Sequence, residues 1–292
     1  MVRAVIGDAF KYEHPLKHYT SFGVGGSADV FAEPANILQL QEVLRYGMDQ
    51  GLDISVLGKG SNVLVPDSGV RGLVVHLSGQ FFNRIERRAP GVVVGGGGVS
   101  LPRLVRKATD WGLEGLEPLV GVPGSLGGAM AMNAGGKYGT IGSYVKGVTA
   151  IGYDGELCHY ERGEISFGYR SSSLSRVIVL EVELELRRGS RDAILNRMLD
   201  IFQEKRRVQP LTSKSAGCIF KNPKGYSAGA LIDKLGLKCM RIGDAMVSSK
   251  HANFIINLGS ATAAQIIELI YRIRNEVKRR FGLVLDMEIK VW

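Results

Sequence analysis

Glycine sets the strongest constraint on what this chain can fold into. Between Gly121 and Gly142 the sequence GVPGSLGGAMAMNAGGKYGTIG places eight glycines in 22 residues. A run so poor in side chains neither propagates a long helix nor fills a core. It does let main chain approach a flat or charged ligand closely, and it offers bare N–H groups. Three further stretches read the same way: GKGSNVLVPDSG from Gly58, GGGG from Gly95 and SAGCIFKNP from Ser215. An ordinary tight turn would explain any one of them. Four together point to a large, extended ligand held mainly by backbone.

At 292 residues the chain is long enough for two domains. Its formal charge of +9 calls for an anionic partner. Part of that charge is concentrated between Arg187 and Lys214, where eight Lys or Arg face three acidic residues. Aromatic residues do not interleave with the basic ones, so base-stacking modes gain no support and no nucleic-acid partner is expected. A phosphorylated small molecule suits the field better. No run of apolar residues is long enough to span a membrane, and the N-terminal stretch MVRAVIGDAFKYEHPLKHYTSFG lacks the pattern of an export signal. Cys158, Cys218 and Cys239 are far apart and odd in number. They fit a reducing, cytoplasmic setting, with no disulfide framework and no metal cluster.

Periodicity gives the coarse organisation. Ile37, Leu40, Leu44 and Met48 mark one face of a helix that stops at Gly51. DISVLGKGSNVLVPDSG then reads as strand, glycine loop and second strand, and LVVHLS after Gly72 as another strand. GVVVGGGGVSLPRLVRKATDWG reads as strand, loop and a helix capped by Ser100. Val145 to Leu186 is rich in strands. SRDAILNRMLDIFQEKRR forms an amphipathic helix with Ile194, Met198 and Ile201 or Phe202 inward. A boundary near residues 188–192 gives domains 1–188 and 189–292. The second contains a strand at FIINLG, a helix from Thr262 to Arg280 ended by Gly282, and a last strand from Leu283, with residues 283–292 free to return to the first domain. The fold class is α+β.

Two segments invite a Rossmann reading and both fail. Gly58-Lys59-Gly60-Ser61-Asn62-Val63 lacks the third glycine and leads into a strand rather than a helix. Gly95 to Ser100 has serine in place of the last glycine. No GxxxxGK[ST] frame exists, so a P-loop is excluded. The loops still carry pyrophosphate donors, in backbone N–H groups, the Ser61 hydroxyl and the Asn62 amide.

The pattern resembles the bacterial UDP-N-acetylenolpyruvoylglucosamine reductase family, from about residue 18 to the end. The matching segments in the first domain are TSFGVGG from Thr20, LGKGSN from Leu57, GVPG from Gly121 through NAGG at Asn133, and FGYRS from Phe167. In the second they are GCIFKNP from Gly217, AGALI from Ala228, SKHANF from Ser249 and the terminal Met287-Glu288-Ile289. The FKNP and KHANF segments carry the most specificity. The resemblance implies a two-lobed FAD-binding domain of the vanillyl-alcohol-oxidase type plus a smaller substrate domain, in the shorter form of the enzyme. It implies non-covalent FAD on Gly58, Lys59, Gly60, Ser61, Asn62, Gly121, Gly124, Ser125, Gly127, Gly128, Asn133 and Gly135. NADPH is the implied co-substrate, a UDP-sugar enolpyruvyl ether the implied substrate, and a monomer the expected state.

The implied reaction adds hydride to the C3 methylene of an alkene conjugated to a carboxylate, then a proton to C2. It needs fixed donors at the carboxylate and one positioned acid. By resemblance Arg170 serves the carboxylate, and its planar, permanently charged fork suits that task. Glu288, on the polar face of the last segment with Asp286 and Lys290, is the implied catalytic glutamate. Cys218 stands where the family commonly has serine as proton donor. A thiol can fill the role, being the stronger acid with a reference pKa of about 8.5, and Lys214 and Lys221 lie near it in sequence. The resemblance also places Tyr138, Asn222, Lys238, His251 and Lys290 at substrate-contact positions, with Lys205, Arg206, Arg207 and Gln209 adding basic and polar groups. Two other readings remain open to the residues. One is an FAD oxidase of the same fold, which has no need of GCIFKNP and SKHANF. The other is a basic nucleic-acid or membrane-binding protein, which would be colourless when purified.

Overall fold

The computed structural model describes residues 10–292, so the start of the stretch read for an export signal lies outside the described residues. The chain groups into two compact units. One comprises Asp29–Lys59 and Arg71–Gln203 with the stretch ending at Glu13, and the other His14–Ala28, Gly60–Val70 and Glu204–Trp292.

Two larger sheets organise the first unit. A four-stranded sheet runs in the order Phe10–Pro15, Ser27–Ala32, Val70–His76, Ile54–Leu57. Its last pair is parallel, with Ile54 opposite Leu73 and Leu57 opposite His76. The helix Ile37–Asp49 lies in sequence between Ser27–Ala32 and Ile54–Leu57, and the Asn36 side chain caps it by accepting from Gln39 N–H at 3.0 Å. It buries Leu40, Val43, Leu44 and Gly47. Met48, expected inward, is 47% exposed. Gly47 takes the inner position, where a Cβ would stand 2.8 Å from Ile54 Cδ1 and would require that side chain to shift.

The second sheet is antiparallel, in the order Leu157–Glu161, Val145–Ile151, Ile178–Glu185, Val92–Gly96, Ile85–Ala89. The GGGG run is buried and packs tightly against neighbouring backbone. A Cβ on Gly96, Gly97 or Gly98 would overlap the carbonyl oxygens of Phe82, Val179 and Leu77 respectively. Backbone meets backbone there, which only glycine permits. The helix Leu101–Asp110 begins at Ser100 as expected, but the serine hydroxyl does not cap it. Leu101 N–H instead donates to Gly124 O at 2.9 Å. In Arg191–Val208 only Ile194 is buried, and Phe202 is 38% exposed.

The second unit is built on a three-stranded sheet, Arg241–Ile242, Ala245–Val247 and Ile255–Asn257, with the helices Ala228–Lys234 and Ala263–Phe281. Its core gathers Phe22, Leu64, Phe220, Ile232, Ile255, Ile266, Ile270, Ile273 and Leu285. The helix Ala263–Phe281 starts in a Thr262–Gln265 capping box and stops at Gly282 in the left-handed region. Asp67 adds a carboxylate to its first turn, accepting from Ala263 and Ala264 N–H at 2.8 and 2.9 Å. The terminal LVLDMEIKVW is regular strand only at Lys290–Val291, which pairs in parallel with Val63–Leu64. Among the described residues no helix is long and apolar enough to cross a membrane.

Candidate active site

In the first unit two hairpins share one set of hydrogen bonds. Gly135–Gly136 pairs with Gly139–Thr140 around a Lys137-Tyr138 tip, and Phe167–Gly168 pairs with Ser171–Ser172 around Tyr169-Arg170. The buried Asn133 joins them. Its Nδ2 donates to Gly168 O at 3.1 Å and its Oδ1 accepts from Gly142 N–H at 3.2 Å. Arg170 Nη1 donates to Gly135 O at 2.8 Å, and its guanidinium lies 5.5 Å from the Tyr169 ring centroid. Both Asn133 and Arg170 hold positive φ, 44° and 54°. That is a costly conformation for a non-glycine residue, and such strain gathers at functional positions. Tyr138, at the other tip, is exposed, with the Lys137 ammonium 4.8 Å from its ring centroid.

Two of the glycine loops of this unit meet closely. A Cβ on Gly58 would overlap Ser125 Oγ, so the loop after Ile54–Leu57 lies directly on the start of Leu126–Ala131. Gly121 and Gly124 hold φ of 73° and 124°, backbone that suits glycine. This glycine-rich cradle, with the small Ser125 side chain against Gly58 and Lys59 exposed beside it, fits FAD, a flat cofactor with a pyrophosphate. One expectation is corrected. The amides opening Leu126–Ala131 are not bare: Leu126 donates to Val99 O, Gly127 to Gly97 O and Gly128 to Ser125 Oγ, at 2.8, 2.8 and 3.3 Å. Gly127 and Gly128 can offer a ligand close approach, while their N–H groups serve the fold.

In the second unit the segment from Cys218 to Lys221 is held on both sides. On one side Cys218 bridges to Phe254, Ile219 N–H donates to Asn253 O at 2.9 Å, and Asn253 exchanges two hydrogen bonds with the Phe220 backbone. On the other, Glu288 N–H donates to Ile219 O at 2.7 Å and Lys221 N–H to Asp286 O at 2.8 Å. Cys218 and Glu288, 70 positions apart in sequence, thus lie on adjoining backbone segments. Cys218 and Cys158 are half-buried, Cys239 is exposed, and none of the three is in a disulfide.

Gly60 and Asn62 have structural duties that their sequence setting does not reveal. A Cβ on Gly60 would overlap Tyr19 O, and Gly60 O accepts from Ser21 N–H at 2.9 Å. Asn62 ties down the chain terminus through Glu288 O and Lys290 N–H, beside the half-buried Ser61. Asn222 Oδ1 accepts from Ala228 N–H at 2.9 Å, setting the start of a helix. Lys238 Nζ donates to Asp233 Oδ2 at 2.9 Å. His251 Nδ1 accepts from Asn253 N–H at 3.2 Å, which fixes the proton of the neutral ring on Nε2. Burial, helped by the nearby Lys238 charge, pushes His251 below the ordinary histidine pKa. Lys205 is lowered to about 8 by burial. Sequence reasoning passed over Asn253 and Asp233. Their only sequence signals are the KHANF segment and an aspartate three residues before a helix-ending glycine.

The family model described as "UDP-N-acetylenolpyruvoylglucosamine reductase, C-terminal domain" matches residues 209–292, and one described as "FAD binding domain" matches residues 28–161. "UDP-N-acetylenolpyruvoylglucosamine reductase 2" of Symbiobacterium thermophilum is 44% identical, with 100% of this chain and 95% of that protein covered. The Moorella thermoacetica reductase is also 44% identical, covering 95% of this chain and 91% of its own length. The crystal structure of the reductase from Thermus caldophilus superposes with a TM-score of 0.84 at 39% identity, covering 97% of this chain and 98% of that one. A two-lobed FAD-binding domain followed by a smaller C-terminal domain is the architecture these matches share with the chain. On the full-length likeness and the FAD-fitting glycine cradle together, the chain belongs to the UDP-N-acetylenolpyruvoylglucosamine reductase family.

Proposed function

We propose that Arg170, Cys218 and Glu288 are the catalytic residues of an NADPH- and FAD-dependent reduction of UDP-N-acetylenolpyruvoylglucosamine to UDP-N-acetylmuramate. The reaction is that of the family to which the chain belongs. FAD, once reduced by NADPH, supplies the hydride that reaches the C3 methylene. Gly58, Lys59, Gly60, Ser61 and Asn62, with Gly121, Gly124, Ser125, Gly127, Gly128, Asn133 and Gly135, are assigned to hold it. We assign residues 1–188 to the cofactor and 189–292 to the substrate.

Arg170 is assigned to the substrate carboxylate, where negative charge grows as C3 is reduced. Its hydrogen bond to Gly135 O orients the guanidinium beforehand, so little reorganisation is needed as that charge develops. Cys218 is assigned to deliver the proton to C2, and Glu288 to hydrogen-bond the enolate until that proton arrives. The Glu288 N–H to Ile219 O bond carries this pairing, because it keeps acid and glutamate on adjoining segments. Tyr138, Asn222, Lys238, His251 and Lys290 are assigned to the UDP-sugar, a polyanion whose charge the +9 chain complements. The function is tested by incubating purified protein with NADPH and UDP-N-acetylenolpyruvoylglucosamine and following the product by mass spectrometry. A gain of two hydrogens is expected, and unchanged substrate would refute the activity.

A further inference from the structure

A cavity of about 200 Å³ in the second unit is lined by Ser227, Asp233, Lys238, Lys250 and His251, together with small residues. Asp233 is the lone carboxylate in an otherwise basic or neutral lining. It sits in the last turn of the helix Ala228–Lys234, where the helix dipole disfavours negative charge, so helix stability does not explain it. The turn that follows does. Gly236 adopts φ of 67°, its N–H donates to Asp233 O at 2.9 Å, and Leu237 N–H donates to Ile232 O at 3.4 Å. This is a Schellman stop, and it folds the chain back over the helix end. Leu237 enters the core, and Lys238 returns alongside Asp233 to form the 2.9 Å ion pair.

We propose that Asp233 is a positioning residue: its carboxylate holds the Lys238 ammonium at this cavity, ready for the diphosphate of the UDP-sugar, and so sets substrate affinity without entering the chemistry. The inference rests on the assignment of Lys238 to the substrate made above. An ammonium has three N–H donors, so one bond to Asp233 leaves two for phosphate oxygens. A long side chain fixed before binding loses less rotamer freedom when the ligand arrives.

The test is steady-state kinetics on Asp233→Asn, Asp233→Glu, Lys238→Ala and the Asn/Ala double variant, with melting temperature and NADPH-driven flavin reduction measured in parallel. Asp233→Asn should raise KM for the UDP-sugar about fivefold, the scale of a partly exposed ion pair. Its kcat should stay within about twofold. Asp233→Glu should recover part of the affinity, flavin reduction should not change, and Asp233→Asn should add nothing once Lys238 is alanine. An equal rise in KM in both backgrounds, or a fall in kcat and melting temperature in step with KM, would overturn the positioning role while leaving Lys238 in place. An unchanged KM in Lys238→Ala would remove the Lys238 assignment itself, and the role of Asp233 with it.

Discussion

Asn62 Nδ2 donates to the main-chain carbonyl of Glu288 at 3.0 Å, across 226 positions of sequence. The Asn62 carbonyl in turn accepts Lys290 N–H at 2.9 Å, and Trp292 N–H donates to Leu64 O at 3.1 Å. The last five residues are therefore an anchored part of the second unit, and the orientation of Glu288 depends on them.

Deleting Glu288 to Trp292 should leave a protein that retains FAD and is reduced by NADPH at nearly the normal rate. Its reoxidation by the enolpyruvyl substrate should fall below detection, because Glu288 is gone. Rapid-mixing absorbance at the flavin band separates the two half-reactions. Equal losses in both would mean that the tail serves cofactor binding instead.

Cys218→Ser should remain active, since a hydroxyl can occupy the same place on the Ile219–Glu288 ladder. Cys218→Ala should accept hydride from NADPH and fail with substrate. Wild-type turnover should decline on the alkaline side as the thiol loses its proton, and that limb should be absent or displaced upward in the serine variant. Wild-type rates in Cys218→Ala would show that another acid delivers the proton.

Arg170 pairs a backbone in the left-handed region with an assigned catalytic side chain. Arg170→Gly relieves the backbone while deleting the guanidinium, so melting temperature should hold or rise as activity falls. Losing one preorganised donor to developing charge costs about 3 to 4 kcal/mol of barrier, or roughly 100- to 1,000-fold in rate. A variant that is both less stable and fully active would reverse the assignment.

Glu33 carries the chain's clearest acid-stability signature. Burial alone would raise its pKa. Hydrogen bonds from Lys11, Ser78 and His76, at 2.6, 2.8 and 3.1 Å, overcome this and lower it from 4.5 to about 2. The unfolded chain binds the proton first, so the stabilisation is complete above about pH 4.5 and is lost as pH falls toward 2. Urea denaturation of wild type and Glu33→Gln should show a stability gap at pH 6 that closes progressively between pH 4.5 and 2. A gap independent of pH would exclude this role for the carboxylate.

Elements governed by local chemistry were legible in the sequence. Thr262, Gln265 and Gly282 delimit their helix by capping rules that need no tertiary information. The strand-loop-strand at Ile54 to Leu64 also followed from alternation and glycine placement. What escaped was long-range. GGGG looks the same whether a ligand or a carbonyl oxygen fills the space beside it, and here Phe82, Val179 and Leu77 fill it. The clean alternation of LVLDMEIKVW promised one long strand, yet its middle bonds the irregular Ile219–Lys221 segment and only Lys290–Val291 is regular. Among the candidate site residues, Arg170, Cys218 and Glu288 were reached through family motifs. The reasons for Asn133 and Asn62 became visible only when distant backbone groups were brought beside them, and that for Asp233 only when the turn at Gly236 carried Lys238 back to it.

The central claim is that this protein uses reduced flavin to reduce an enolpyruvyl ether. It is tested most directly by reducing the purified holoprotein with one equivalent of NADPH without oxygen, then mixing it with UDP-N-acetylenolpyruvoylglucosamine and following the flavin band near 450 nm (roughly, for oxidised flavin). The account predicts rapid return of the oxidised spectrum, one flavin per substrate consumed, with UDP-N-acetylmuramate as product. A flavin that stays reduced in the presence of substrate, and is reoxidised only when oxygen is admitted, would contradict it.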